Sequence, residues 1–203
     1  MTTKTIAITG ATGQFGAIAL DLLKAKQANV IALVRSPEKI SGVEARKFYY
    51  SKTEGQVEAL QGVDTLILVS SSEVGQRALQ HNNVIESAKK AGVKHIIYTS
   101  LLGATNDNTV KSLAGEHVET EAALKASGIT YTILRNGWYT ENYTASIPAA
   151  LANNAFYGSA KNGKISSVLR AELAEAAVNI ALSEGHENQT YELAGSTSWT
   201  LAD

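Results

Sequence analysis

The chain has 203 residues, 44% hydrophobic and 18% charged, with a formal net charge of −1 and no cysteine. That composition excludes a disordered chain and suits one domain with a substantial core. Without a basic surplus a general nucleic-acid or anionic-membrane binder is not expected, and without thiols there is no disulfide, no thiolate nucleophile and no Cys-ligated metal.

The start, Met1-Thr2-Thr3-Lys4, enters an apolar run with no secretory core segment, and no run approaches the roughly 18 residues of a membrane span. A cytoplasmic protein with no membrane partner is expected. Thr5–Thr9 (TIAIT), 30–34 (VIALV), 65–69 (TLILV), 95–99 (HIIYT) and 131–134 (YTIL) are continuously apolar, as in strands covered on both faces of a parallel sheet. A weaker run at 45–50 stands where a third strand belongs, 191–193 reads as a short strand, and 197–199 as extended. Between them lie helices. Phe15, Ile18, Ala19, Leu22 and Leu23 form one apolar stripe, 76–91 stops at Gly92, and 110–126 stops before Gly128. A last helix begins near Arg170 and carries Ala171, Ala174, Ala177, Val178 and Ala181. This alternation predicts α/β architecture: a Rossmann-type doubly wound parallel sheet, one NAD(P)-binding domain over residues 1–203. Thr200-Leu201-Ala202-Asp203 has the Ser/Thr-x-x-acid pattern of a helix start, which reads as a chain cut short there.

Gly10-Ala11-Thr12-Gly13-Gln14-Phe15-Gly16 follows the first strand and opens the first helix. Glycines at these places allow a tight turn, close approach of backbone N–H groups to a pyrophosphate, and close helix–sheet packing, while the helix N-terminus supplies partial positive charge. The alternative is a purely structural turn. At the end of the second strand, where NAD-binding domains place a carboxylate for the ribose 2′-hydroxyl, stands Arg35. A guanidinium there pairs with a 2′-phosphate, so NADP(H) is expected, with NADPH preferred.

The arrangement resembles the short-chain dehydrogenase/reductase superfamily, whose main branch uses a Ser after the fifth strand and a Tyr-x-x-x-Lys on the next helix. Ser100 stands at the right strand end, but the helix carries His117-Val118-Glu119-Thr120-Glu121 where Tyr and Lys would fall. The one Tyr-x-x-x-Lys string, Tyr157-Gly158-Ser159-Ala160-Lys161, lies in a Gly/Asn-rich stretch with no helix to bring i and i+4 to one face.

Ser70-Ser71-Ser72-Glu73-Val74-Gly75-Gln76-Arg77, Glu116-His117-Val118-Glu119-Thr120-Glu121 and Arg135-Asn136-Gly137-Trp138-Tyr139-Thr140-Glu141-Asn142-Tyr143 narrow the likeness. With the glycine turn they resemble the NmrA-like atypical branch, and within it the flavin-free bacterial NAD(P)H:quinone oxidoreductases of type 2. The resemblance runs from Ile6 to Asp203. It implies that Gly10, Ala11, Thr12, Gly13, Gln14 and Phe15 hold the pyrophosphate and Arg35 the 2′-phosphate. Ser70, Ser71, Ser72, Glu73, Val74 and Gly75 would pass beside the ribose and nicotinamide, and Arg170 would reach the cofactor. Trp138, Tyr139, Thr140, Glu141, Asn142 and Tyr143 would line the nicotinamide and substrate side. Family members continue for several tens of residues into a small C-terminal substrate lobe, expected here to be largely missing.

The implied activity is direct hydride transfer from NADPH to a small-molecule quinone, with no flavin and no metal. Proton supply falls to water, Tyr139 or His117, so His117 and Tyr139 are the catalytic candidates. His117 lies in the stripe Leu113, His117, Thr120, Leu124, and is otherwise a core histidine or an i, i+4 partner of Glu121. The competing readings are an NADP(H)-binding redox sensor without catalysis and a reductase for another acceptor. Whether the protein is a monomer or a homodimer is left open by the residues.

Overall fold

The computed structural model describes residues 4–104 and 113–203. Seven strands form one parallel sheet: β1 Thr5–Thr9, β2 Asn29–Val34, β3 Glu44–Lys47, β4 Thr65–Leu68, β5 His95–Leu101, β6 Thr130–Asn136 and β7 Gln189–Leu193. Their order is β3-β2-β1-β4-β5-β6-β7, so the chain reverses its direction of winding between β1 and β4. In such sheets that reversal opens a crevice at the carboxyl ends of the strands.

The helices are α1 Gln14–Ala25, α2 Gln56–Ala59, α3 Arg77–Ala91, α4 Leu113–Ala126, α5 Glu141–Thr144, α6 Ile147–Asn153 and α7 Arg170–Leu182. The apolar runs are continuous because each strand is covered twice. Ile6, Ile8, Val30, Ala32, Ile67, Ile97 and Leu134 pack under α1 and α7, whereas Ala7, Leu33, Leu66, Leu68, Tyr98 and Ile133 pack under α2, α3 and α4. Each fully buried Ile or Leu contributes about 1.5–3 kcal/mol. The α1 stripe buries Phe15, Ala19 and Leu23 as expected, with Leu20 added and Ile18 and Leu22 at its margin. Gly92 ends α3 in the left-handed region at φ 80°.

Several boundaries differ from the sequence expectation. The third strand is Glu44–Lys47, earlier than 45–50: the Phe48 N–H makes the last bond to β2, to the Val34 carbonyl at 2.8 Å, and Tyr50 lies beyond the ladder, packed beside β4. Met1 to Thr3 and the expected first residues of the fourth helix, Val110, Lys111 and Ser112, lie outside the described residues. No helix begins at Thr200: that segment is a turn in which the Thr200 N–H and Oγ1 donate to Asp203 Oδ2 at 2.8 and 3.0 Å. The expected extended segment survives as a bridge between Trp199 and Ile165. Tyr157 is exposed and outside any helix, so it shares no face with Lys161. Among the described residues no helix is long and apolar enough to cross a membrane.

Candidate active site

Since all seven strands run the same way, residues following β1, β2, β4, β5 and β6 meet on one edge of the sheet. Gly10 follows β1 at φ 61° and accepts the Gly13 N–H at 2.8 Å. A Cβ on Gly16 would collide with the Gly10 carbonyl and come within 3.0 Å of Ala11 Cα, so glycine is required for this helix–strand approach. Gly13 is the N-cap of α1 and no side chain closes the first turn. Its orphan N–H groups therefore face outward beside exposed Thr12, Gly13 and Gln14. Ala11 and Phe15 are core residues, and what they offer a ligand is backbone. This is a cradle that side chains would fill, and it fits a pyrophosphate. Thr9 pairs with Leu33, which puts exposed Arg35 one step beyond the end of β2, next to the glycine turn.

The segment after β4 is fastened by its backbone. The Val69 N–H donates to Thr9 Oγ1 at 2.9 Å, Ser70 N–H to Thr99 Oγ1 at 2.8 Å, and Ser71 N–H to His81 Nε2 at 3.0 Å. Tyr50 donates to the Val69 carbonyl and lies 2.7 Å from Thr9 Oγ1, and its burial raises the phenol pKa. Gly75 and Arg77 N–H groups both reach Glu116 Oε1 at 2.9 Å. Arg77 Nη1 pairs with Glu116 Oε2 at 3.0 Å, and its Nε donates to the Ser71 carbonyl at 2.7 Å. Glu73 accepts from Gln80 Nε2 at 2.7 Å. Ser72, Glu73, Val74 and Gly75 are exposed; Ser71 is buried, and its Oγ has no partner among the described residues.

His81 is neutral, and its neighbours define the tautomer. Nε2 accepts from Ser71, so Nδ1 carries the proton toward Thr120 Oγ1, 3.1 Å away, whose own proton goes to the Glu116 carbonyl at 2.7 Å. Burial, then His117 and Arg77, push its pKa down to about 3. His117 Nδ1 lies 2.6 Å from the Tyr98 hydroxyl. Burial and then Arg77 lower His117 to about 4 against an opposing pull from Glu121, so it is an uncharged imidazole at neutral pH. The His117–Glu121 pair suggested by spacing does not form. Glu121 turns to Arg135 and accepts from Ser100 Oγ at 2.6 Å.

After β6, a Cβ on Gly137 would lie 2.8 Å from the Leu193 carbonyl, so glycine permits the chain to hug β7. Trp138 is half-exposed. Tyr139 bridges to Val168 and packs against the α1/α7 side. The Arg170 guanidinium lies 4.5 Å from the Tyr139 ring centroid, a cation–π contact, while burial raises the Tyr139 pKa. Glu141 accepts the Arg170 N–H at 3.0 and 3.2 Å, and Thr140 Oγ1 donates to Ser167 Oγ at 2.9 Å. Tyr143 meets Trp199 edge to face at 5.0 Å, and Asn142 is exposed on α5. His117 and Tyr139 are not brought together: one lies in the α3/α4 layer, the other against the α1/α7 layer.

Sequence reasoning missed Thr9, Tyr50, Arg77, His81, Thr99 and Glu116 as the residues shaping this edge. Thr9 and Thr99, hydroxyls at the ends of otherwise apolar strands, were the available signal. An open groove of about 610 Å³, lined by Lys4, Asp64, Lys94, His95 and Glu187 among others, lies at the opposite edge of the sheet and contains no expected site residue.

A bare glycine turn at the reversal point of a parallel sheet, with a guanidinium beside it, defines a dinucleotide-binding protein of the Rossmann type. The sequence profile of the NAD(P)H-binding family matches residues 10–184, and the chain belongs to that family. It is 53% identical to quinone oxidoreductase 2 of Escherichia coli K12, over 97% of this chain and 70% of that one. The crystal structure of the Escherichia coli NADPH-dependent quinone oxidoreductase with NADPH superposes at TM-score 0.91 and 51% identity, covering 97% of this chain and 71% of that. The triphenylmethane reductase of Citrobacter sp. with NADP(H) follows at TM-score 0.90 and 38% identity, covering 96% and 71%.

Proposed function

We propose that this chain binds NADPH along the carboxyl edge of the sheet and reduces a quinone, with neither flavin nor metal taking part. The observation that carries the reading is the open glycine turn with Arg35 beside it, in a chain 53% identical to a quinone oxidoreductase. When bound, the cofactor supplies hydride; the protein's task is to orient donor and acceptor. Backbone at Gly10, Ala11, Thr12, Gly13, Gln14 and Phe15 holds the pyrophosphate, and Arg35 pairs with the 2′-phosphate. Residues 70–75 flank the ribose and nicotinamide. Arg170 approaches the cofactor from the start of α7, stacked on Tyr139.

Trp138, Tyr139, Thr140, Glu141, Asn142 and Tyr143 border the acceptor. Hydride delivery to a quinone leaves a hydroquinone anion that needs one proton. Tyr139 carries its proton at neutral pH as any phenol does, and burial raises its pKa further, which makes it a weaker acid; it remains the candidate donor by its place beside the acceptor, with water the alternative source. His117 stands behind Tyr98 as an uncharged imidazole and is the weaker of the two catalytic candidates.

The test follows NADPH absorbance in the presence and absence of a simple benzoquinone. Consumption that needs both protein and quinone supports the assignment. Tight NADPH binding with no turnover for any quinone removes it.

A further inference from the structure

The loop between β4 and α3 spends its backbone donors inward. The N–H groups of Val69, Ser70, Ser71, Gly75 and Arg77 all end on protein side chains. With five donors so committed, the loop is less suited to cradling a phosphate than the glycine turn. It offers a ligand carbonyls and hydroxyls, which suit the uncharged ribose–nicotinamide end of a dinucleotide.

What holds this loop in shape is a residue from another helix. Ser72 to Gln76 are exposed, so packing does little to order them. Gln76, the N-cap of α3, makes no side-chain cap bond. Glu116, in the first turn of α4, supplies the missing cap by accepting from Gly75 and Arg77 N–H. Its second oxygen pairs with the buried Arg77 guanidinium, which reaches back to the Ser71 carbonyl. One carboxylate thus ties down both ends of the loop: Gly75 directly, Ser71 through Arg77.

We propose that Glu116 is a positioning residue for the nicotinamide end of the cofactor, acting through Gly75 and Arg77 and not by touching the ligand. The proposal rests on the cofactor reading above. Preorganising residues 70–75 removes an ordering cost that binding would otherwise carry. The superfamily's catalytic helix is here a clamp, with Glu116 and Thr120 serving the loop.

The test is Glu116→Gln, which keeps the side chain's size and removes its charge. Wild type and variant are titrated with NADPH and with adenosine 2′,5′-bisphosphate, which lacks both the nicotinamide and its ribose. Losing a charge-assisted clamp raises the NADPH Kd about ten-fold and leaves the fragment within about two-fold. KM for NADPH rises in step, while kcat at saturating NADPH holds within about two-fold, since no transition-state contact is removed. Equal weakening of both ligands, or no weakening of either, overturns the proposal. Should Glu116→Gln fail to fold, Glu116→Asp keeps the charge opposite Arg77 but shortens the reach to Gly75, and is read by the same comparison. If wild type binds neither ligand, the cofactor reading falls and this proposal with it. If wild type binds both and the variant does not discriminate, this proposal falls alone.

Discussion

Arg135 on β6 grips Glu121 on α4 with two near-parallel bonds, Nε to Oε1 at 3.0 Å and Nη2 to Oε2 at 2.8 Å. Glu121 is almost fully buried, and its bond raises the Arg135 pKa. Ser100, at the strand position where the superfamily keeps its catalytic serine, donates to that same carboxylate. Ser100→Ala is therefore expected to change kcat for quinone by no more than about three-fold, since the hydroxyl is not free to polarise a substrate. Glu121→Gln leaves the partly buried Arg135 guanidinium with Glu192 as its remaining carboxylate partner and is expected to cost about 1–2 kcal/mol. Steady-state kinetics check the first and urea unfolding the second; a loss of several orders of magnitude in Ser100→Ala would restore the serine to the chemistry.

In the proposed reading Arg35 discriminates between the two nicotinamide cofactors by one charge. It stands exposed beside the glycine turn and makes no ion pair among the described residues. Arg35→Asp should weaken NADPH by about 100-fold or more, replacing attraction with repulsion at the 2′-phosphate, and leave NADH within about three-fold. Calorimetry with the two cofactors is the measurement. Equal losses would show that the guanidinium does not read the 2′-phosphate.

Gly16→Ala introduces a methyl group into the Gly10 carbonyl. Backbone cannot swing aside as a flexible side chain would, so α1 must move away from β1. The expected cost is about 2 kcal/mol or more, together with loss of NADPH binding as the turn opens. Gly75→Ala is the contrasting case, because a Cβ there meets nothing and the strain is purely backbone at φ 89°. A melting curve and an NADPH titration for Gly16→Ala settle it; native-like behaviour in both would contradict the close-approach argument.

Acid sensitivity follows from three buried histidines. His81 sits at about 3 and His95 and His117 at about 4, all below the ordinary 6.5, with burial the largest cause in each. Folding with these rings uncharged contributes stability fully present above pH ~6.5, where the unfolded chain is also unprotonated. As pH falls below that value the unfolded chain binds protons that the folded one refuses, and stability declines until the folded pKa values are passed. Each histidine contributes up to about 1.4 kcal/mol per pH unit in that window. Urea midpoints measured from pH 7.5 to 4.5 should fall steadily, with up to about three protons taken up on unfolding. A flat profile across the window contradicts the three neutral rings.

Much of the carboxyl edge was legible because it depends on neighbours in sequence. The glycine turn is read from a strand, three glycines and a helix in immediate succession, and Arg35 from its place at a strand end. Glu116 was part of a recognised motif, yet nothing in its spacing showed that it would reach 41 positions back to Gly75. His81 gave no signal at all, although it touches Ser71 on one side and Thr120, 39 positions away, on the other. Tyr50 was placed in a strand as the end of a weak apolar run standing where a third strand belongs, whereas it packs beside Val69 outside the ladder.

The sequence alone was enough for the parallel sheet, its crossovers, the glycine turn between first strand and first helix, and a basic residue at the end of the second strand. Hydrophobic period, glycine placement and the sign of a strand-end residue are local properties, and they act before distant segments meet. The roles along α4 were decided only in three dimensions. Whether a histidine or carboxylate becomes an acid, a clamp or a core partner depends on which hydroxyl, amide or guanidinium arrives opposite it. The sheet's winding order brought Ser100 and Arg135 to Glu121, Tyr98 to His117, and the β4–α3 loop to Glu116.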